Sequence, residues 1–366
     1  MSQHHVTGVP KYLSFVTNRL LETAVWTFAE LGIADHLAAA DAPQTAEELA
    51  QKQGWNIEYL YRLLRTVADA DIVREIISNE TIEPEKTNCF ELTEDGRFLT
   101  SVHPSKARYL ICWELSPLLK TASHYLPDLI REGSSKGTGI QRIINNESIF
   151  DFLKKEENKK MAHNFNEAMT SLSSYNSQYI VNSVDFDRFN TIVDIGGGLG
   201  SLLSHILEKY LTIKQGICFD LPNVIQEKRI ETEFEKRNIS KDRYQFVAGD
   251  MFDAKTIPQA DAYIMKCIIH DWNDDRAIDI LKAIRTAANG QQITIFIVDL
   301  IILPETEQNK FINQTAHAID IHMMILLDAK ERTQTQYEYL CKQSGFRFKH
   351  LYHTETPFSI IEAVVN

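Results

Sequence analysis

No run of eighteen apolar residues occurs in this 366-residue chain, so no transmembrane helix is expected. The first residues carry no basic segment leading into an apolar one, so no secretory leader is expected and the chain reads as cytoplasmic. Cysteine is scarce. Cys89, Cys112, Cys218, Cys267 and Cys341 are an odd, scattered set, which argues against a disulfide framework and against zinc spacing; buried free thiols and no metal are the expectation. Positive charge is also short. There are 38 Lys and Arg against 50 Asp and Glu, a formal net charge of −12, the wrong sign for a phosphate-binding surface, so no nucleic-acid partner is expected. Internal repeats and low-complexity segments are absent as well. What remains is an ordinary globular composition, 44% hydrophobic, on a chain long enough for two domains.

The chain is organised around 191–200, Thr-Ile-Val-Asp-Ile-Gly-Gly-Gly-Leu-Gly. Thr191–Ile195 has the β-branched apolar composition of a buried strand, and Ser201–Tyr210 the pattern of an amphipathic helix. The glycines between them, Gly196, Gly198 and Gly200 among them, let backbone approach a ligand where a Cβ would clash. One glycine is missing here too. A dinucleotide fingerprint needs a third glycine where this chain has Ser201. The pattern is Asp-x-Gly-x-Gly-x-Gly, starting at Asp194, and a second acid, Asp220, ends the strand-like run Gly216–Asp220, where a carboxylate can hold both hydroxyls of a ribose. It resembles the S-adenosylmethionine (SAM) pocket of class I methyltransferases, which need no cradle for a pyrophosphate.

Strand-like runs at 191–195, 215–220, 244–248, 261–266 and 292–298 alternate with helical patterns, and 346–352 with 358–365 close the chain as a hairpin. That alternation predicts an α/β fold with a doubly wound, mainly parallel sheet. Upstream the chain is mostly helical. A tract over 11–39 places Leu13, Val16, Leu20, Leu21, Val25, Phe28, Leu31, Ile33 and Leu37 at helical steps on more than one face, which suggests burial against a second copy. Residues 45–73 read as helix–turn–helix opening on a Thr45/Glu48 capping box. Asp71–Val73 and Phe90–Leu99 read as strands of a small wing around a polar loop, 79–88. The second of these helices carries only Arg62 and Arg65 as cations, so the winged helix is not read as a DNA reader. A flexible connector is expected at 133–139, and a helix from Asn164 that can bring Phe165, Met169 and Ser173 near the cofactor. The expected domains are 1–104, winged-helix; 105–180, helical linker and substrate pocket; and 181–366, SAM-binding.

In an open α/β sheet, ligands sit at the carboxyl ends of the strands. Asp250, with Met251 and Phe252, follows the third strand; the acid can accept from an adenine amine and the apolar pair can cover its ring. Lys266 ends the fourth, and His270 follows it beside Asp271 and Trp272. A phenol of pKa ~10 is a poor nucleophile until a base removes its proton, and a histidine titrates in the right range to do so. Asp299 at the end of the fifth strand, Glu331, or Asp271 can orient that imidazole.

As a set, Leu60–Leu64, Phe90–Leu99, Phe165–Met169, Val193–Gly200, Asp220–Ile225, Gly249–Phe252, Lys266–Asp275 and Lys330–Thr333 resemble the caffeate/hydroxyindole-type SAM-dependent O-methyltransferases. The resemblance implies a winged-helix dimerisation domain, a class I methyltransferase domain, and a homodimer whose N-terminal helices help wall the partner's substrate pocket. It implies His270 as base between Asp299 and Glu331, and SAM contacts from Ser173, Gly196, Asp220, Asp250, Met251 and Lys266, beside Asp194, Gly198, Gly200, Leu221 and Phe252 of the same turns. Two departures stand out. Asp299 replaces the glutamate common in plant members, and the longer insert of the plant enzymes before Lys330 is missing, which brings the chain closer to bacterial polyketide and phenazine methyltransferases. Candidates for the acceptor pocket are Trp113, His124, Phe165, Met169, Trp272, His317 and Met323. The expected reaction is methyl transfer to a hydroxyl of a small aromatic or polyketide-like metabolite. Transfer to nitrogen or carbon, SAM binding without transfer, and a winged-helix regulator are the alternatives.

Overall fold

A computed structural model describes residues 7–78, 82–226, 232–306 and 308–366; the start of the polar loop expected at 79–88 lies outside them. The chain divides into two compact units. One comprises residues up to 120 together with 160–171, the other 121–159 together with 172–366, so the expected linker region 105–180 is shared between them. None of the helices among the described residues is long and apolar enough to cross a membrane.

In the first unit the N-terminal tract is two helices, Val9–Glu30 and Ile33–Ala38, because Gly32 between them takes φ 65°. The first buries only its C-terminal end, Ala24, Phe28 and Ala29, and leaves Tyr12, Leu13, Phe15, Val16 and Leu20 exposed. The Thr45/Glu48 capping box forms and starts helix Ala46–Gln53; Asn56 caps helix Ile57–Ala68. Strands β1 (Gln44–Thr45), β2 (Val73–Ile76) and β3 (Cys89–Leu92) make an antiparallel sheet in the order β1-β3-β2. The expected strand over Phe90–Leu99 stops at Leu92: the Thr93 hydroxyl accepts from the Gly96 amide and turns the chain into the short helix Glu94–Arg97. Phe28, Ile33, Leu49, Leu64, Val67 and Phe90 form this unit's core.

The second unit is built on β4 (Thr191–Ile195), β5 (Gln215–Asp220), β6 (Tyr244–Ala248), β7 (Ala262–Lys266), β8 (Thr294–Ile302), β9 (Arg332–Thr333), β10 (Phe346–His353) and β11 (Phe358–Val365). Their order is β10-β11-β8-β7-β4-β5-β6, with β9 added beside β8; β11 is antiparallel to both its neighbours, β10 and β8, and the remaining pairs are parallel. Successive residues of one strand feed opposite cores. Val193 and Ile195 pack with helices 274–287 and 334–343, while Ile192 packs with helix 201–209 and with Ile180 and Val181. Both faces are covered, which is why these strands read as near-continuous apolar runs. After β4 the chain builds β5 and β6 on one side, then returns to lay β7 on the other. That reversal opens a crevice at the carboxyl ends of β4 and β7. The connector at 133–139 is not free. The Thr138 hydroxyl donates to the Leu326 carbonyl at 3.2 Å, and the Ile140 amide to that of Ile325 at 3.2 Å, tying the segment to the end of helix Lys310–Leu327.

Candidate active site

The glycine turn is held by its neighbours in the sheet. The Gly196 amide donates to the Phe219 carbonyl at 2.8 Å, and Gly200, at φ 83°, leads into helix Ser201–Lys209. A Cβ on Gly200 would sit 2.3 Å from the Phe234 ring, so no other residue fits without displacement. Gly198, at φ 56°, has open space on its Cβ side and donates its amide to Asp220 Oδ2 at 2.8 Å. The Leu221 amide donates to Asp220 Oδ1 at 2.7 Å. Each carboxylate oxygen accepts through one lone pair and keeps another, enough for the two hydroxyls of a ribose. Burial raises the Asp220 pKa, and the two amides work against that rise. Asp194 is buried below the turn and is pushed up to about 7 by that burial, with Lys266 pulling the other way.

Lys266 Nζ donates to Ser173 Oγ at 3.2 Å, so two residues 93 apart in sequence, both expected at the cofactor, meet. Asp250 is exposed and spends one oxygen on the Phe252 amide at 2.9 Å, a local turn bond, leaving the other oxygen available. The Phe252 ring meets Trp272 edge-on at 4.9 Å, and the Arg276 guanidinium lies 3.6 Å from the Phe252 centroid. Trp272, expected in the acceptor pocket, thus packs against a residue expected at adenine. Met251 is half-buried beside this cluster's core.

His270 lies on a single 3-10 turn, Ile269–Asp271, just past β7, and is buried. Its Nδ1 donates to Glu331 Oε1 at 2.7 Å, and its Nε2 lies 3.4 Å from Asp271 Oδ1. Glu331 comes from a segment 61 residues away, delivered by β9, which pairs with the end of β8. Asp299 is not at the end of its strand: β8 runs on to Ile302 and outreaches β7, whose last residue, Lys266, pairs with Val298. Asp299 therefore stands level with the end of β7. Its Oδ2 accepts from the Tyr337 hydroxyl at 2.8 Å. Asp299 Oδ1 and Glu331 Oε2 are buried without a hydrogen-bond partner among the described residues. Burial by itself disfavours an imidazolium, but the charges of Glu331, Asp271 and Asp299 outweigh it and hold His270 well above the ordinary histidine value. Burial likewise pushes Asp271 up to about 7 and Asp299 up to about 6, against the pull of the His270 charge.

Three further residues complete the cluster. Arg332 is fully buried and binds the carbonyls of Ile269 at 3.1 Å and Trp272 at 2.6 Å together with the Asp274 carboxylate at 2.9 Å, clamping the turn that carries His270. Tyr337 holds Asp299. His322, on helix Lys310–Leu327, is pushed down to about 4 by burial and by the His270 charge, and so stays neutral across the physiological range. Arg332 had one local signal, a cation inside Lys330–Thr333, while Tyr337 and His322 sit in helical patterns that mark them only as core. All five cysteines are free; Cys112, Cys218 and Cys341 are buried as expected, but Cys89 and Cys267 are only half-buried. Of the acceptor-pocket candidates, Trp113 and Phe165 meet edge-on at 5.0 Å in the first unit, with Met169 one turn along the same helix. Met323 is buried on helix Lys310–Leu327 of the second unit.

The arrangement suits a nucleoside at the glycine turn and proton removal at His270. Family comparison finds an O-methyltransferase domain over residues 124–347 and an O-methyltransferase dimerisation domain over residues 13–101. The phenazine O-methyltransferase PhzM of Lysobacter antibioticus is 32% identical over 357 residues, 96% of this chain and 94% of that protein. The crystal structure of LaPhzM matches with a TM-score of 0.83 at 31% identity over 99% of this chain and 100% of that one. Human N-acetylserotonin methyltransferase, solved in complex with SAM, matches with a TM-score of 0.81 over 99% of both chains; at 20% identity it speaks to the fold alone.

Proposed function

This chain belongs to the O-methyltransferase family and carries both its catalytic and its dimerisation domain, and on that premise we propose that His270 is the general base of methyl transfer to a hydroxyl of a small aromatic or polyketide-like acceptor. The observation that carries this reading is the buried 2.7 Å bond from His270 Nδ1 to Glu331 at the carboxyl end of β7. SAM, when bound, supplies a methyl group on a positively charged sulfur that the acceptor oxygen attacks directly. The turn Gly196–Gly200, Asp220 and Leu221 hold the nucleoside, and Asp250, Met251 and Phe252 its base; Ser173, Lys266 and Asp194 complete that wall. The fit rests on the Asp220 oxygens, each with an unspent lone pair, and on the open side of Gly198.

With Nδ1 committed to Glu331, Nε2 takes the hydroxyl proton of the acceptor. Glu331 stabilises the imidazolium that forms and fixes the ring, while Asp299 and Asp271 deepen the negative surroundings that make the ring a strong base. Asp299 acts without bonding the ring: its hydrogen bond goes to Tyr337. Within the second unit, Trp272 and Met323 are assigned to acceptor recognition. Residues 1–104 serve dimerisation, through the exposed apolar face of helix Val9–Glu30, and residues 181–366 bind SAM.

Incubation with SAM and a panel of phenols, quinols and hydroxyindoles, read as a mass gain of one methyl group, identifies the acceptor. His270→Ala is then expected to lower kcat by about 10²–10⁴-fold, the usual reach of a general base, with SAM affinity retained. Near-full turnover would remove His270 from the role of base.

A further inference from the structure

A Cys267 sulfur, a His270 ring nitrogen and an Asp299 carboxylate oxygen lie within 4.8 Å of one another. We propose that these three side chains form a site for a borderline-soft divalent cation of the zinc type, and that filling it switches methyl transfer off. Thiolate, imidazole and carboxylate together are the donor set that favours zinc over magnesium or calcium. A tetrahedral zinc ion needs donor pairs roughly 3.3–3.8 Å apart, so the side chains close by about 1 Å on binding.

The surroundings already support such a site. Metal-bound histidines hand their other ring N–H to a carboxylate. His270 does this toward Glu331 at 2.7 Å, which leaves Nε2 to offer the lone pair. Asp299 is held in turn by the Tyr337 hydroxyl at 2.8 Å. Its other oxygen, Oδ1, is fully buried with no partner among the described residues, and so is Glu331 Oε2. Three carboxylates, Asp271, Asp299 and Glu331, surround His270, while the adjacent guanidinium of Arg332 is spent on Asp274 and on the Ile269 and Trp272 carbonyls. A dication with a thiolate and one carboxylate as ligands is neutral overall, and the thiol proton, together with the Nε2 proton of any charged His270 ring, passes to the buffer. Cys267 is half-buried, the least buried of the three donors. The spacing of cysteines along the chain conceals this site, because Asp299 arrives from a different strand.

The existence of the site is independent of the function proposed above; its inhibitory effect rests on His270 being the base. The test uses the full chain, stripped with EDTA and desalted. Co2+ alone is added first, and a near-ultraviolet thiolate-to-Co2+ charge-transfer band that Zn2+ abolishes is the expected result. Zn2+ is then expected to inhibit methyl transfer where Mg2+ does not, and Cys267→Ser, active in EDTA, to raise the inhibitory Zn2+ concentration by at least about tenfold. Absence of the band in the unmodified protein, or unchanged Zn2+ sensitivity in Cys267→Ser, overturns the site. A clear band with undiminished turnover at saturating Zn2+ leaves the site standing and overturns the switch, and with it the base role of His270.

Discussion

Replacing Glu331 with Gln removes a charge from the cluster around His270 while keeping its shape. Gln offers a carbonyl oxygen where Glu331 Oε1 now accepts the 2.7 Å bond from His270 Nδ1, so the ring keeps its tautomer and orientation. What changes is the anion that, with Asp271 and Asp299, holds His270 above its ordinary pKa. A hydrogen bond to a charged partner is worth about 1.5–3 kcal/mol. At about 1.36 kcal/mol per pH unit, losing the charge lowers the His270 pKa by about 1–2. His270 serves as base only when neutral. The acid limb of kcat/KM, which reports the free enzyme, therefore lies above the ordinary value of about 6.5 in the unmodified protein. In Glu331→Gln it moves down by about 1–2 pH units. The plateau at high pH also falls, because a weaker base takes the acceptor's proton less readily. The two profiles thus converge toward acid pH. Initial rates followed by mass spectrometry across pH 5–9 measure this directly. A limb that stays in place, or a deficit equal at every pH, would show that Glu331 does not act through the His270 charge.

Three further outcomes follow from the geometry. Asp220→Asn puts an N–H where one of two backbone amides now donates, and loses charge-assisted bonds worth about 1.5–3 kcal/mol. S-adenosylhomocysteine affinity by calorimetry should fall by about 10–100-fold, and unchanged affinity would remove Asp220 from the nucleoside site. Gly200→Ala forces a Cβ onto φ 83° and to within 2.3 Å of the Phe234 ring. Together these should cost about 2 kcal/mol or more in chemical denaturation, and a neutral effect would mean the turn relaxes freely. Leu13→Glu with Leu20→Glu places charges on the exposed face of helix Val9–Glu30, outside the core of its own unit. Sedimentation should show monomers with an unchanged far-ultraviolet spectrum, whereas an intact dimer would move the interface elsewhere.

Most of the frame was legible along the chain, because it depends on short-range pattern. The runs 191–195, 215–220 and 244–248 are strands over those same residues; β4 and β5 are covered on both faces and so apolar nearly throughout, while β6 lies at the sheet edge and is only half-buried. The Thr45/Glu48 capping box was legible for the same reason: its partners are three residues apart. Errors arose where a local cap or glycine ended an element early, and where a distant partner overruled local composition. Thr93 ends the strand expected to reach Leu99, Gly32 breaks the tract 11–39, and the segment 133–139 is bound to a helix end nearly 190 residues away, at Leu326.

Composition and spacing alone determined an α/β chain with a nucleoside-binding turn, acids at neighbouring strand ends and a histidine past β7. They could not decide which acid serves the histidine. Asp299 and Glu331 were the named candidates by sequence, with Asp271 a further one, and the fold separates them. Parallel pairing of β9 with the end of β8 delivers Glu331 to Nδ1. The extra length of β8 beyond β7 sets Asp299 beside the site, where helix Gln334–Gln343 claims its carboxylate through Tyr337. The same placement gathers Cys267 and Asp299 around His270. Strand register, a property of the whole sheet and of no single segment, decides which side chains meet at the carboxyl ends.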